Sequence, residues 1–189
     1  MTGKICLHVV LWLNLAVASS SLFAREDNHS SNPSSSGYDF EPVANATYRF
    51  ECGACHFAYP PGLLPARSWR RVMNNLETHY GESAELPQKT KESLLTYLVN
   101  HSADKTMIKK SKKIMRSMRS SYTPERITKV PYIRNRHFEI PLPMYRDNPD
   151  IRSLGNCDAC HTRAEEGSFA SQEIDVPGFG RWRKAPTDN

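Results

Sequence analysis

The sequence predicts a mainly α protein with a compact helical N-terminal half and a loop-rich C-terminal half. Three observations carry this. Apolar residues recur at helical spacing between positions 68 and 100. Pro124, Pro131, Pro141, Pro143 and Pro149 punctuate the chain beyond Tyr122 and exclude long helices there. A Cys-x-x-Cys-His pentapeptide stands in each half, as Cys52-Gly53-Ala54-Cys55-His56 and as Cys157-Asp158-Ala159-Cys160-His161.

That pentapeptide is the attachment signature of c-type haem. Two thiols add across the haem vinyl groups, and the histidine that follows reaches the iron as the proximal ligand. At the Cys and His frequencies of this chain, chance would give roughly 0.005 such motifs per sequence, so two of them indicate two covalently bound haem c groups. Structural zinc is the main rival for paired Cys-x-x-Cys, but it needs no histidine directly after each pair. Thioredoxin-like chemistry lacks its βαβ surroundings here.

From the N-terminus, Lys4 precedes the apolar run Ile5–Ala18, and small residues follow. This is the layout of a secretory signal peptide over 1–24, with Ala18 or Ala24 as cleavage candidates. The run has about 14 residues, where a membrane span needs roughly 20. Removing this segment removes Cys6, after which every cysteine belongs to a haem motif. Export to a periplasmic location follows. Arg25–Ala44, rich in Ser, Asn and Pro, reads as a disordered leader.

The first motif is expected to sit at the opening of a short helix, in Tyr48-Arg49-Phe50-Glu51-Cys52. Pro60-Pro61-Gly62 then turns the chain. Ser68 is placed to cap a helix over Trp69–Tyr80, with Val72, Met73 and Leu76 inward and Gly81 as the stop. A second helix starts at Pro87 and runs to about Asn100, with Leu94, Leu95, Leu98 and Val99 inward. The segment Lys105–Arg119 carries seven basic residues and no acid, and it is spaced as an amphipathic helix. Three readings stand: a solvated linker, a transient docking patch through Lys109–Lys113 for an acidic redox partner, or a membrane-surface helix. Nucleic acid is set aside, because an exported protein rarely meets it. The organisation is thus a haem 1 helical domain at 45–104, a basic linker helix at 105–120 and a haem 2 loop-rich domain at 121–189.

The sixth ligand of each iron decides what the protein does, since an open site permits chemistry and a filled one favours electron transfer. Cys52, Cys55, Cys157 and Cys160 supply the thioethers, and His56 and His161 the proximal nitrogens. For the distal positions His79 and His137 are the candidates. His101 reads as a surface residue, and Met73 and Met144 are thioether alternatives, Met73 the better fit to a core. Proximity along the chain suggests His79 for the first haem and His137 for the second, and crossed pairing stays open.

Several segments resemble the dihaem cytochrome c family of small exported proteins. They are Cys52 to Trp69 (with its Ala58-Tyr59-Pro60-Pro61-Gly62 run), Leu76 to Gly81, Arg126-Ile127-Thr128, the surroundings of His137, and Asn156 to His161. The resemblance covers roughly residues 48 to 180. It implies a class-I-cytochrome-like helical N-terminal half and two bis-histidine haems, with His79 and His137 as the distal ligands. It also implies electron transfer to or from another cytochrome c or a membrane-bound cytochrome b. Two other functions are weighed: a small peroxidase-like enzyme with one open iron, and a dihaem subunit of a larger reductase. Oligomeric state is not legible.

Overall fold

The computed structural model describes residues Gly37–Trp182, so the expected signal peptide, Cys6 and residues 25–36 lie outside the described residues. The chain is mainly helical, with short 3-10 turns and one two-stranded sheet. No helix among the described residues is long and apolar enough to cross a membrane.

Helix α1 spans Ala46–Gly53. Asn45 caps it, its side-chain oxygen accepting from Tyr48 N at 2.8 Å. The first motif therefore closes this helix instead of opening it. The helix packs inward through Tyr48, which is buried and whose hydroxyl donates to Tyr59 O at 3.0 Å.

The chain then turns through Pro61–Leu63 into α2, Ala66–Asn74. Ser68 is not its cap. The start is fixed from across the fold, by Asp104 Oδ1 accepting from Ala66 N at 2.7 Å. Ser68 lies in the first turn, buried, its hydroxyl without a partner among the described residues. Trp69 and Met73 face the core, and Trp69 Nε1 donates to Pro61 O at 2.8 Å. The helix stops at Asn74, earlier than the spacing predicts, and a 3-10 turn over Leu76–Thr78 delivers His79. That segment closes through Tyr80 and Gly81, both at positive φ.

Helix α3, Gln88–Asn100, forms where periodicity places it, with Leu94, Leu98 and Val99 buried against α2. Helix α4 is Lys109–Arg116, shorter than the basic segment. It is not a solvated bridge. Ile114 is fully enclosed, and Ser111 Oγ donates to Gly62 O at 2.9 Å. The contact needs glycine at 62, where a Cβ would stand 2.8 Å from that hydroxyl.

Beyond residue 121 the helices are short, as the prolines require: α5 is Pro131–His137 and α6 is Leu142–Tyr145, each with proline in its first turn. Isolated 3-10 turns and the strands β1 (Asp175–Val176) and β2 (Gly180–Arg181) complete the chain. One apolar core joins Phe40, Tyr48, Leu64, Trp69, Leu94 and Ile114 with Ile127 and Val130. The segments 45–104, 105–120 and 121–182 thus contribute to the same core.

The leader ends sooner than its composition suggests. Phe40 and Val43 are buried, and Phe40 meets Phe169 edge-on at 5.4 Å. Asp39 and Phe40 donate their backbone N–H groups to Gly167 O at 2.9 and 3.0 Å. Gly167 has φ +75°, and a Cβ there would fall 2.0 Å from Phe40 O, so only glycine allows the approach.

Candidate functional site

Two pairs of histidines face one another. The rings of His56 and His79 have centroids 6.2 Å apart with planes at 25°, and those of His137 and His161 are also 6.2 Å apart, at 67°. Two imidazoles bound to one metal ion through nitrogen bonds of about 2.0–2.1 Å have centroids roughly 6 Å apart, which is the spacing of both pairs. Each pair joins the histidine of one motif to one distal candidate from the same half, with no crossing between halves.

Hydrogen bonding fixes which nitrogen is available. His56 Nδ1 lies 2.8 Å from Phe57 O, and His137 Nδ1 lies 2.8 Å from Ile133 O. A carbonyl can only accept, so in both rings Nδ1 carries the proton and Nε2 keeps its lone pair for a metal. His161 Nδ1 is buried without a partner among the described residues. Its ring lies 5.0 Å from that of Phe169. Burial, and then the neighbouring His137, lower the His161 pKa to about 4; burial and His56 lower that of His79 as well. Both rings are held neutral, the form that binds iron.

The cysteines stand beside these pairs. Cys52 ends α1, and Cys157 begins a 3-10 turn over Cys157–Ala159. Burial pushes the Cys52 thiol up to about 11 and the Cys157 thiol to about 12. Among the described residues no group of three or more His, Cys, Asp or Glu converges as a metal cage. The donor set fits an iron porphyrin twice: in each half two imidazoles would hold the iron and two cysteines of one motif would take the covalent attachment. A cleft of about 670 Å³ separates the motifs, lined on one side by Ala54, Cys55 and His56 and on the other by Asn156, Asp158 and Ala159.

The other candidates sit elsewhere. His101 caps the end of α3, half exposed, with Nδ1 3.0 Å from Glu41 Oε2. Met73 is a core residue. Met144 lies on α6, half buried, and its backbone carbonyl accepts from Asn148.

Residues that sequence reasoning passed over surround the first pair. Tyr59 stacks on His56 at 4.9 Å, and Tyr80 meets His79 edge-on at 4.7 Å. Arg126 sits 3.8 Å above the Tyr80 ring, and Tyr80 Oη donates to Glu125 O at 2.7 Å. The available signal was position: Tyr59, Tyr80 and Arg126 all lie inside the segments that carry the family resemblance.

The chain is similar to known proteins over most of its described residues. The family model for dihaem cytochrome c matches residues 48–169. Among solved structures, a dihaem cytochrome type c from Shewanella baltica OS155 is 38% identical, with a TM-score of 0.60, covering 74% of this chain and 98% of its own. A dihaem cytochrome c from Rhodobacter sphaeroides is 38% identical, with a TM-score of 0.61, covering 68% of this chain and 99% of its own. A second structure from the same organism is 39% identical, with a TM-score of 0.55. No curated protein matches the sequence.

Proposed function

Because this chain belongs to the dihaem cytochrome c family, we propose that it works as an exported, periplasmic carrier of single electrons whose irons are both closed. Two covalently bound haem c groups supply the redox chemistry, and electron transfer is the function the family brings with it. Cys52 and Cys55 hold one haem and Cys157 and Cys160 the other. His56 and His79 are the axial ligands of the first iron, and His161 and His137 those of the second. The observation that supports this is the shared 6.2 Å centroid spacing of the two histidine pairs. With both axial positions occupied by imidazole, no coordination site is left for a substrate, and the potentials fall below those of histidine–methionine centres.

The partner we propose is another cytochrome c or a membrane-bound cytochrome b, met transiently. Of the basic run Lys109–Lys113, Lys109 and Lys113 are exposed. Lys110 is committed to the fold, 2.6 Å from Asp39 Oδ2 and donating to Phe169 O. Docking through this face therefore rests on Lys109, Lys113 and the exposed Arg116.

Low-temperature EPR of the ferric protein tests the reading. Two low-spin signals are expected. Near-parallel imidazole planes split the iron d orbitals more than near-perpendicular ones, so the His137–His161 centre gives the more anisotropic signal. His137→Ala removes that signal alone, and His79→Ala removes the other. A high-spin ferric signal in the unsubstituted protein, without added ligand, overturns the closed-site reading in favour of an open-iron enzyme. So does carbon monoxide binding to the reduced protein.

A further inference from the structure

Tyr59 touches both haem sites. Its ring lies against His56, 4.9 Å between centroids and 26° from parallel. Its hydroxyl donates to Gly155 O at 2.8 Å, across 96 residues of sequence. The same carbonyl accepts from Cys157 N at 3.0 Å, and Cys157 Sγ lies 3.5 Å from it. One oxygen thus gathers the tip of Tyr59 and the first cysteine of the second motif.

The Tyr59 backbone is held in turn. Its own carbonyl accepts from the buried Tyr48 hydroxyl, and Pro60, fully buried, follows it. A residue anchored at backbone, ring and hydroxyl transmits displacement instead of absorbing it. Removing the hydroxyl leaves the ring stack on His56 but releases the loop that carries Cys157.

We propose that Tyr59 is a positioning residue that ties the proximal ligand of the first haem to the attachment loop of the second, and so sets the rate of electron exchange between the two irons. This rests on the ligand assignment given under Proposed function.

The test compares the unsubstituted holoprotein with Tyr59→Phe, Gly155→Ala and the double variant. A Cβ at 155 would stand 3.2 Å from Tyr59 Oη and 3.3 Å from Ser153 Oγ, so Gly155→Ala disturbs the same contact without reaching the His56 stack. Haem content, low-temperature EPR and NMR exchange broadening in the half-reduced protein are measured. All variants should keep two haems per chain and both low-spin signals. Exchange between the haems slows about threefold or more in each single variant, because transfer falls steeply as positioned groups are displaced. The double variant is no slower than the singles, since both changes act on one contact. Unchanged exchange in both single variants overturns the proposal. A shift confined to the EPR signal of the His56 centre, with exchange unchanged, also overturns it and leaves Tyr59 as a support for His56 alone. Absence of low-spin signals from the unsubstituted protein overturns the ligand assignment and this proposal together.

Discussion

The His56–His79 pair and the His137–His161 pair share a spacing but not a scaffold. The first hangs between α1 and the turn after α2, over a core built by Trp69, Met73, Leu94 and Leu98. The second is carried by a seven-residue helix and a 3-10 turn, and beyond residue 121 the main apolar cluster has Ile127 and Val130 as its buried members among the described residues, with Tyr132, Ile133 and Phe169 only partly buried against it. The second region adds side-chain-to-backbone hydrogen bonds to its sparser packing. Asn148 donates to Pro177 O at 2.8 Å and accepts from Asp150 N at 3.0 Å, and Asn156 donates to Ile151 O at 2.7 Å. The same ligand geometry is thus reached by two physical routes. The region with less apolar burial relies more on its prosthetic group to stay ordered.

Removing the second haem should break this comparison most visibly. With Cys157 and Cys160 both changed to alanine, amide protection is expected to collapse across 121–182 while α2 and α3 remain protected. Hydrogen exchange read by mass spectrometry checks this, and equal loss in both halves would refute the contrast. Leu94→Ala, at a position with no exposure, is expected to cost about 2–5 kcal/mol. Because the core is shared, urea unfolding of this variant should lower the midpoint at both haems together. Asn148→Ala strips the second region of three hydrogen bonds at a buried site and should cost about 1–3 kcal/mol. Asn45→Ala removes one cap from the first region and should cost about 1 kcal/mol in the same assay.

Acidity acts on the two regions with one sign. His161 has its folded pKa lowered from 6.5 to about 4, and that of His79 is lowered too. In that window the unfolded chain binds more protons than the folded one, so stability is complete above pH 6.5 and falls as pH drops towards 4. The lower folded pKa belongs to the more enclosed His161, so the second site should keep its low-spin signature to a lower pH than the first. An acid titration followed by EPR distinguishes them.

How much of this could be read beforehand differs between the regions for the same reason. The register of α3 was legible because Leu94, Leu98 and Val99 repeat at the helical period and are buried as a face. The start of α2 was not, since its cap comes from Asp104, 38 residues away. Nor was the commitment of Lys110, whose partner Asp39 lies in a segment that composition alone marks as unstructured. The thiols and proximal histidines were legible because covalent attachment imposes a contiguous pattern. The pairing of His79 with His56, and of His137 with His161, depends on tertiary turns that leave no period in the sequence.

The contact between Asp39-Phe40 and Gly167-Ser168-Phe169 has a consequence for the order of assembly. Phe169 N donates to Asp39 Oδ2 across 130 residues. During synthesis residue 39 emerges long before residue 167, so this zipper is among the last contacts available to close, and such long-range closure is slow. Until then Phe40 has no Gly167 carbonyl or Phe169 ring to meet. A chain that has closed its first haem site therefore still carries an open apolar seam, sealed only when residues 39–40 meet residues 167–169.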